Sequence, residues 1–589
     1  MEVKKKIKEM LDNGHSDIAK LLIREFEGLF PHDADMNVWK AEIHLLENKL
    51  DEAQRVLIEG IGYDHQRFDL YYKLAEVYRL KKEPTLAAGL YKRAMAMTEE
   101  ESEKATIAKT INEISESSKL VNRPLVSIVV LAFNHVEYTQ QCIESIYQYT
   151  SHIDFELITV NNGSSDETGN YFAQLPNFKK ITLTANVGPV NGFNAGLIVA
   201  DGTYTASISN DFVVTSGWLD NLLTCIESDE TIGYVSPGAS SVSNNQRIEC
   251  PDTDLEGIQR FAESYNISNP ALWEERVRLL PCVLMVRTEL LRQIGYFDPR
   301  FKYGEFADDD ISFRIRRAGY KLIFAKDTFT HHFGSVTGGE DQRNHRSLEV
   351  SREIFHSKYA IDAWDDTAFD FHLINAALES IELQPTGKKL SEVRILGINT
   401  KCGATPLQLR NKLREAGYGE VTITNYTDQL AYMEDLLTVS DNATHGPISE
   451  LKSTHAADPY DIILFEGGLE SYVPIDHLIE DIHSLLLRGG SFLFKMQNGA
   501  HFLEITRSLN DRSPYSAPRV SSTFFHLHPL LAMLESKQLA IQKIVFVQNP
   551  IHPQLADLYQ IMERWSQSSE ILMDARLSVS EIIIVTGAV

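Results

Sequence analysis

The spacing of apolar residues changes once along this chain of 589 residues, at Pro124. Before that point, apolar side chains recur every three or four residues with almost no strand-like alternation, which predicts helices throughout residues 1–120. After it, short β-rich runs alternate with helical stretches, which predicts α/β domains. At roughly 100–200 residues per domain, the length allows about three or four domains. The sequence therefore predicts a multidomain α plus α/β protein.

The N-terminal helical segment also repeats. Ala19, Ala53 and Ala87 lie 34 residues apart, and Ala41 and Ala75 keep the same period. A small residue at one point of a helix pair lets two helices approach closely, and 34 residues is the period of the tetratricopeptide repeat. The segment resembles two to three such repeats, whose stacks commonly hold a peptide or protein partner on a concave surface. A helical spacer or a dimerisation element is the alternative.

Charge and composition exclude several classes of protein. The chain has 56 Lys and Arg against 82 Asp and Glu, a net charge of −26, which argues against a nucleic-acid partner. No apolar run approaches the ~20 residues that cross a bilayer, and the N-terminus lacks the apolar segment of a secretory signal, so we expect a soluble, cytoplasmic protein. Five widely spaced cysteines are neither a zinc framework nor a disulfide scaffold.

Polar residues follow the predicted strands of the central region. The runs at 126–133 and 155–160 predict buried strands, with a helix at 139–149 between them. Asn134, Asn161 and Asp211 come just beyond predicted strand ends, where an α/β sheet opens its ligand crevice. We therefore expect these three side chains to face one site.

Seven segments of the central region keep an ordered set of motifs. They are segments 127–134, 160–168, 186–196, 207–211, 295–298, 308–314 and 331–335. Together they resemble the GT-A domain of the family 2 glycosyltransferases. The resemblance predicts a Rossmann-like nucleotide-sugar domain over residues 124–359. It implies a single displacement, with inversion at the anomeric carbon, from a nucleoside-diphosphate sugar, and a UDP-sugar is the expected donor.

The resemblance also implies a metal site. Asp211 stands at the last position of the family's Asp-x-Asp motif, so it is expected to bind Mn²⁺ or Mg²⁺ on the donor diphosphate. His332 matches the family's His-x-Gly element, and imidazole suits Mn²⁺ as a ligand, so His332 is the expected second ligand. On residue type alone, Asp211 could equally cap a turn or helix before Val213.

A row of three carboxylates supplies the expected base. The resemblance implies Asp308 as the general base for the acceptor hydroxyl. The family's usual Glu before it is Ala307 here, so Glu305 or Asp309 is the alternative for part of this role. The row Asp308, Asp309 and Asp310 can also simply begin a helix, because acidic side chains favour a helix N-terminus.

The remaining implied residues contact the donor. Asn161 replaces the family's usual Asp but keeps a carbonyl acceptor for a pyrimidine N3–H, and Ser209 replaces the first residue of the metal motif. Asn186 and Asn194 can equally be turn residues. The expected donor-binding set is Ala132, Phe133, Asn134, Asn161, Asp166, Asn186, Gly188, Asn194, Ser209 and Asn210.

The C-terminal region, 391–589, follows a predicted connector at 360–390 and resembles a class I methyltransferase fold. Its strands are expected at 393–398, 420–424, 460–465, 491–496 and 580–585, which predicts a doubly wound α/β sheet. The cofactor loop keeps only Gly397, Asn399 and Gly403, and the acid expected after the second strand is Asn425 or absent. We therefore do not expect S-adenosylmethionine to bind, and favour a fold retained for packing or partner binding.

Together these patterns predict a cytoplasmic, metal-dependent, inverting glycosyltransferase. Its helical repeats are expected to present a protein or peptide acceptor, flagellin-like in kind, and Trp273 and Arg276 are expected on the acceptor side. The alternatives are an enzyme of cell-surface polysaccharide or lipid-linked glycan assembly, an enzyme that also methylates the glycan, and an inactive binding scaffold. The oligomeric state and the sugar are left open by the sequence.

Overall fold

The computed structural model describes most of the chain in two compact units. The first comprises residues 1–274 and 278–363, and the second residues 275–277 and 364–589. The described residues are 2–115, 124–176, 179–334, 346–382, 391–455, 459–469, 472, 474–498, 527–548, 556, 557, 560, 564 and 579–588. Within these ranges the protein is a mixed α/β structure with 21 helices, and no helix is both long and apolar enough to cross a membrane.

The first unit begins with seven helices. They are α1 (Glu2–Asp12), α2 (Ser16–Leu29), α3 (Ala34–Leu46), α4 (Leu50–Tyr63), α5 (Phe68–Leu80), α6 (Pro84–Met97) and α7 (Glu101–Ser115). Helices α2, α4 and α6 are each 14 residues long and begin 34 residues apart, at Ser16, Leu50 and Pro84. The predicted helical segment and its period are therefore present in the structure.

The repeated alanines lie where the helices pack. Ala19, Ala41, Ala53, Ala75 and Ala87 have no exposed surface. A larger side chain at these points would meet a neighbouring helix, because protein interiors have few voids larger than a water molecule. The period of the sequence thus follows from helix packing.

A nine-stranded sheet forms the rest of the first unit. Its strands are β1 (Val126–Ala132), β2 (Phe155–Asn162), β3 (Lys179–Leu183), β4 (Tyr204–Ser209), β5 (Phe212–Val213), β6 (Ile232–Ala239), β7 (Trp273–Glu275), β8 (Leu284–Arg287) and β9 (Lys321–His332). Eight of them run in the order β3-β2-β1-β4-β8-β6-β9-β5. Strands β3, β2, β1 and β4 are parallel, while β8 is antiparallel to β4 and β6.

Helices cover this sheet, and along the chain they connect one parallel strand to the next. They are α8 (Val136–Thr150), α9 (Thr168–Gln174), α10 (Gly188–Leu197), α11 (Trp218–Glu227), α12 (Leu255–Tyr265), α13 (Thr288–Ile294), α14 (Ala307–Arg317) and α15 (Ser347–Tyr359). Every residue of β1 is buried, as the continuous apolar run at 126–133 predicts for a central parallel strand.

The N-terminal helical segment is bonded to the loop before β4 and to α13. The Arg93 side chain is 9% exposed and its guanidinium donates to the carbonyl oxygen of Ala200 and lies 3.5 Å from Asp201. His65 Nε2 lies 2.9 Å from the carbonyl oxygen of Gln293. The Arg93 contact is buried and charge-assisted, and such contacts fix one element against another. The helices and the sheet belong to one compact unit. The division into domains at 1–120 and 124–359 stays a prediction.

The second unit contains a seven-stranded sheet. Its strands are β10 (Glu392–Ile398), β11 (Glu420–Thr427), β12 (Asn442–His445), β13 (Tyr460–Phe465), β14 (Leu486–Gln497), β15 (Leu539–Gln548) and β16 (Val579–Ala588), in the order β12-β11-β10-β13-β14-β16-β15. The first five are parallel, and β16 is antiparallel to both its neighbours. All five strands expected at 391–589 are present; β12 and β15 are additional.

Helices of the second unit are α16 (Phe371–Glu382), α17 (Ala404–Glu415), α18 (Met433–Val439), α19 (Leu451–His455), α20 (Ile475–Leu485) and α21 (Leu527–Ser536). The segment expected as a connector, 360–390, contains α16, and its residues 383–390 lie outside the described ranges. The strand order reverses direction around β10, as in a doubly wound sheet.

Because the N-terminal helices pack closely at Ala75, we predict that a larger side chain there lowers the stability of the protein. Ala75→Leu should lower the free energy of unfolding by ~1–3 kcal/mol, because three extra carbons have no space between packed helices. Chemical denaturation monitored by circular dichroism measures this. Ala105→Leu, on an exposed position of α7, is the matched control and should change stability by less than ~0.5 kcal/mol. Equal stability of the two variants would contradict close packing at Ala75.

Candidate functional site

Three parallel strands of the first unit end at one edge of the sheet. Leu131 of β1 is paired with Val160 of β2 and with Ser209 of β4. Because the register is shared, the residues that follow each strand emerge side by side. The carboxyl ends of parallel strands are where such sheets bind ligands.

The loops after β1 and β2 are joined by hydrogen bonds. Asn134 has a φ of 57°. Its side-chain Oδ1 accepts from the Ser165 backbone N–H at 2.9 Å, and its backbone N–H donates to Ser164 Oγ at 2.9 Å. Asn161 accepts at Oδ1 from the Ser164 amide at 2.9 Å. The structure thus brings Asn134 and Asn161 together. The carbonyl oxygen of Asn161 that was expected to face a pyrimidine already has one donor.

Asp166 fastens the same loops. Its carboxylate accepts from the Val136 amide at 3.0 Å and from the Thr168 amide at 3.1 Å. Burial opposes its ionisation, but these hydrogen bonds outweigh it and hold the pKa of Asp166 below its ordinary value. Two further residues of the expected donor-binding set lie at the end of β1. Ala132 is fully buried, whereas Phe133 is partly exposed.

A loop after β3 precedes α10. Asn186 accepts at Oδ1 from Asn162 Nδ2 at 3.0 Å and from the Gly188 amide at 2.9 Å, and Asn162 accepts from the Val187 amide at 3.0 Å. Gly188 has a φ of 83°, which glycine adopts without strain. Asn162, which the sequence did not single out, therefore shapes this loop. Its place next to Asn161 at the end of β2 is the signal that could have identified it.

Asn194 is buried and bonded to the backbone of Phe297 rather than exposed at the site. It has no exposed surface, donates from Nδ2 to the carbonyl oxygen of Phe297 at 2.8 Å, and accepts from the Phe297 amide at 3.0 Å. Both of its polar atoms are thus satisfied within the protein, so we leave it out of the proposed donor contacts. Asn210 donates to the carbonyl oxygen of Asn134 at 3.1 Å and to Thr139 Oγ1 at 2.9 Å.

Asp211, two residues after β4, lies beside His332, the last residue of β9. His332 Nε2 lies 3.3 Å from Asp211 Oδ2, and His332 Nδ1 lies 2.6 Å from the carbonyl oxygen of Ser241. The imidazole stacks on Phe212, with ring centroids 4.2 Å apart. Phe212 and Val213 form β5, which pairs with β9, so no helix begins there for Asp211 to cap. Asp211 lies in the turn between β4 and β5, as the other half of that alternative predicts.

This pair fits a divalent cation. Asp211 Oδ1 is buried and has no hydrogen-bond partner among the residues that the structure describes. A carbonyl that accepts from Nδ1 orients a neutral imidazole so that its Nε2 lone pair is available to a metal. No cluster of three or more His, Cys, Asp or Glu side chains that could hold a metal occurs in the described ranges. The protein thus offers two ligands, and the others would come from diphosphate and water.

The hydrogen bonds also affect the protonation of His332. Burial lowers the pKa of His332, but the contacts with the Asp211 carboxylate and the Ser241 carbonyl more than offset it, so the pKa lies above its ordinary value. A cation bound at Nε2 would displace that proton.

The three consecutive carboxylates have different surroundings. Asp309 is 1% exposed and pairs with Arg278 at 3.0 Å. Asp310 is fully buried and accepts from Arg314 Nε at 2.8 Å and from Tyr359 at 2.8 Å. These two therefore have partners within the protein.

Asp308 differs because it keeps some accessible surface. Burial, followed by the negative charge of Asp309, raises the pKa of Asp308 to about 8, although Arg278 acts in the opposite direction. A carboxyl whose pKa lies near the working pH suits general acid–base chemistry. The structure thus separates Asp308 from Asp309, the other residue expected to be catalytic.

Two residues expected on the acceptor side are buried. Trp273 is 8% exposed and donates from Nε1 to Asp327 Oδ2 at 2.8 Å, while Arg276 is 6% exposed. An aromatic ring and a guanidinium can both be satisfied inside a protein when hydrogen-bond or aromatic partners are present. Their place on the acceptor side stays a prediction that this burial does not support.

The strand ends of the second unit hold a different network. Thr400 donates to Asn425 Oδ1 at 2.7 Å, and Asn425 donates from Nδ2 to Ser440 Oγ at 2.6 Å. A Cβ on Gly397 would lie 2.2 Å from Asn425 Oδ1. The polar atoms that would have to bind a cofactor ribose are therefore already bonded to one another.

Residues 127–272 match the profile described as glycosyl transferase family 2. An uncharacterized glycosyltransferase of Haemophilus influenzae is 31% identical over 115 residues, which are 19% of this chain and 35% of that protein. Glycosyltransferase GlyG of Streptococcus pneumoniae is 24% identical over 244 residues, which are 39% of this chain and 77% of that protein. The comparisons identify this part of the chain as a glycosyltransferase domain.

The matches to these relatives cover only part of this chain and part of each relative. The chain spans about a third of the Haemophilus influenzae protein that it matches. Among solved structures, one that the chain resembles is the crystal structure of GalNAc-T7 with UDP, GalNAc and Mn²⁺. The sequence identity is 14% and the TM-score is 0.31. That similarity covers 41% of this chain and 52% of the other.

The surroundings of Asp308 lead to a prediction about stability and pH. In the unfolded chain its pKa is ~3.9, so between about pH 4 and pH 8 this carboxyl binds its proton more tightly in the folded protein, and its contribution to stability falls as the pH rises. Asp308→Asn removes this effect and should raise the free energy of unfolding at pH 8 by ~1–2 kcal/mol. Denaturation at several pH values measures it.

The control for this experiment is Asp220→Asn, at a half-exposed carboxylate beside His152. Its stability should follow the wild type at pH 4 and pH 8. A variant Asp308→Asn that is less stable than the wild type at pH 8 would show that the Asp308 carboxyl is not held at a high pKa.

Proposed function

We propose that this chain transfers a sugar from a nucleoside-diphosphate sugar to an acceptor hydroxyl, with inversion and with a divalent cation. The observation that carries the proposal is the pair of Asp211 and His332, where a buried carboxylate oxygen lacks a donor beside an imidazole fixed by Ser241. The glycosyltransferase domain at 127–272 contains Asp211. An orphaned buried carboxylate is costly unless a ligand completes it.

The reaction assigns one role to each side chain. Asp308, when deprotonated, accepts the proton of the acceptor hydroxyl as that oxygen forms a bond to the anomeric carbon. The bond between the anomeric carbon and the diphosphate oxygen breaks, and the nucleoside diphosphate leaves with the electron pair. Asp211 and His332 would hold Mn²⁺ or Mg²⁺ against the diphosphate. The cation, when bound, supplies positive charge to the leaving oxygens.

The donor is proposed to be a UDP-sugar held by the loops after β1, β2 and β3. These loops are joined by hydrogen bonds of Asn134, Asp166 and Asn186, and Asn161 fixes the loop after β2 from within. Such preorganised loops bind a ligand without a further ordering cost. Phe133, Ser209 and Gly188 lie at the same edge and complete the proposed set.

The acceptor is proposed to be a protein or peptide that lies along the N-terminal helices. A groove of about 550 Å³ is lined by residues of α5, α6 and α7 and by Lys82 between two of them, and its charges include Glu76, Arg79 and Glu113. Side chains of both signs suit a polar peptide, and helical repeats commonly bind such partners. Polysaccharide or lipid-linked glycan is the second candidate class of acceptor. We also propose that the enzyme acts in the cytoplasm.

The methyltransferase-like unit is proposed to serve packing or partner binding, without S-adenosylmethionine. The support is the bonded set of Thr400, Asn425 and Ser440 at its strand ends. Such groups bind a new ligand only after their own hydrogen bonds break, which lowers affinity.

The first prediction from this proposal concerns the cation. With Mn²⁺ and a panel of sugar nucleotides, the wild type should release nucleoside diphosphate from one donor, and a chelator should abolish release. Asp211→Ala and Asp308→Asn should each lower the rate by at least ~10²-fold, because they remove a cation ligand and the base. Asp220→Asn, at a half-exposed carboxylate, should retain the wild-type rate. Full activity of Asp211→Ala would contradict the proposed cation site.

The second prediction concerns S-adenosylmethionine. Calorimetric titration of the full chain should show no binding up to millimolar concentration, because the polar atoms at the strand ends of the second unit are occupied. Asn425→Ala should show none either. Micromolar binding to the wild type that is lost in Asn425→Ala would overturn this part of the proposal and favour the enzyme that also methylates its product.

A further inference from the structure

Helix α2 exposes a line of large apolar side chains. Ile18, Leu21 and Leu29 are 48%, 68% and 71% exposed. With about 3.6 residues per turn, positions three and eleven residues apart lie on one face of a helix, so these three side chains form a single stripe, the α2 stripe. The opposite face of α2 packs inward through the buried residues Ala19, Ile23 and Phe26. Single exposed apolar side chains are normal on a protein surface, whereas an aligned set marks an interaction site.

The same positions carry charges in the next repeat. Helices α2 and α4 begin 34 residues apart, so Ile18 corresponds to Glu52 of α4 and Leu21 corresponds to Arg55. Both Glu52 and Arg55 are exposed. A repeat stack stays soluble when the faces that meet water are polar. The α2 stripe has the opposite composition, which indicates that another surface covers it.

The repeat also shows where this face is covered and where it is open. A Cβ on Gly62, near the end of α4, would lie 2.8 Å from Pro299 Cδ, so another segment of the first unit packs closely there. Gly28 is the equivalent residue of α2, and a Cβ on it would have no described atom within 4 Å. The face by which α4 packs against the rest of its unit therefore continues onto α2, where it is open among the described residues.

Two opposite charges flank Leu21 on one edge of the stripe. Asp17 has 98% of its side chain exposed, and Arg24 is also exposed. They are seven residues apart, which is close to two turns, so they share one edge of the helix. Lys20 lies 3.6 Å from Asp17, and it also pairs with Glu47 at 2.5 Å. An exposed ion pair as long as that of Lys20 and Asp17 contributes little, so Asp17 is available to a second partner.

This pattern is complementary to itself. In a two-fold symmetric interface, residue i of one copy contacts residue j of the other, and j contacts i. If two α2 helices lie antiparallel with Leu21 at the symmetry axis, Asp17 of each copy lies opposite Arg24 of the other. A partner of different sequence would have to supply both charges in this order, whereas a second copy of the chain supplies them by symmetry.

We propose that the chain forms a symmetric dimer through the α2 stripe, with Asp17 of each copy paired with Arg24 of the other. Burial of the stripe supplies the affinity, and the two ion pairs determine the antiparallel orientation. The inference does not depend on the proposed function, because none of these residues belongs to the site proposed for sugar transfer.

Sedimentation velocity of the full chain tests the dimer. At about 100 µM protein, where a micromolar dimer is almost fully formed, the wild type should sediment as a dimer. Leu21→Glu should be a monomer, because a dimer would bury an unpaired charge. Leu437→Glu replaces a leucine of α18 that is 60% exposed, and this control should stay dimeric. The circular dichroism spectra should all equal that of the wild type, because the replaced side chains are exposed.

The pairing is tested by exchanging the charges. Asp17→Arg and Arg24→Asp each place like charges opposite one another, and each should raise the dimer Kd at least ~10-fold. An equimolar mixture of these two variants should recover the dimer, because every Arg at the interface then faces an Asp.

Three outcomes would overturn the inference. A monomeric wild type would leave the stripe to a partner of another kind. A dimer that persists in Leu21→Glu would place the interface elsewhere on the chain. Loss of the dimer in Leu21→Glu, with no effect of either charge variant or no recovery in their mixture, would refute the antiparallel pairing.

Discussion

The shared register of β1, β2 and β4 is the constraint on which the site depends. Leu131 is paired with Val160 on one side and Ser209 on the other, so three strands end at the same level. The loops that follow can then bond to one another, as Asn134 and Asn161 do through Ser164. A slip of one residue in any of these strands would turn its side chains to the opposite face and separate the loops. Burial of the whole of β1 opposes such a slip.

The carboxylates of the first unit differ in whether burial leaves them with a partner. Asp309 and Asp310 are inside the protein and are paired with Arg278 and Arg314. Asp211 keeps one buried oxygen without a donor, and Asp308 has a pKa raised to about 8. Paired carboxylates stabilise the fold, whereas the last two are held in states that cost free energy unless a ligand or a proton is present. Residues of one type thus contribute to stability or to chemistry according to their surroundings.

Much of the fold could be predicted from the sequence, because it depends on periodic patterns. The 34-residue spacing of Ala19, Ala53 and Ala87 predicts the helices, and the run at 126–133 predicts β1. Partners of single side chains carry no periodic signal. Nothing in the sequence indicates that Asn194 bonds to Phe297, 103 residues away, or that Trp273 is buried against Asp327. The roles expected for the site residues, including Asp308 and His332, stay predictions that the geometry supports.

The bond between Arg93 and the Ala200 carbonyl, together with the contact of His65 with Gln293, has a mechanical consequence. Helices that are bonded in this way to the loop before β4 and to α13 cannot swing as an independent arm. An extended chain bound along them would therefore be held at a set distance from Asp308. In the proposed reaction, these helices would set how far from its binding segment the acceptor is modified, and lengthening that spacing would move the modified residue along the acceptor by the same amount.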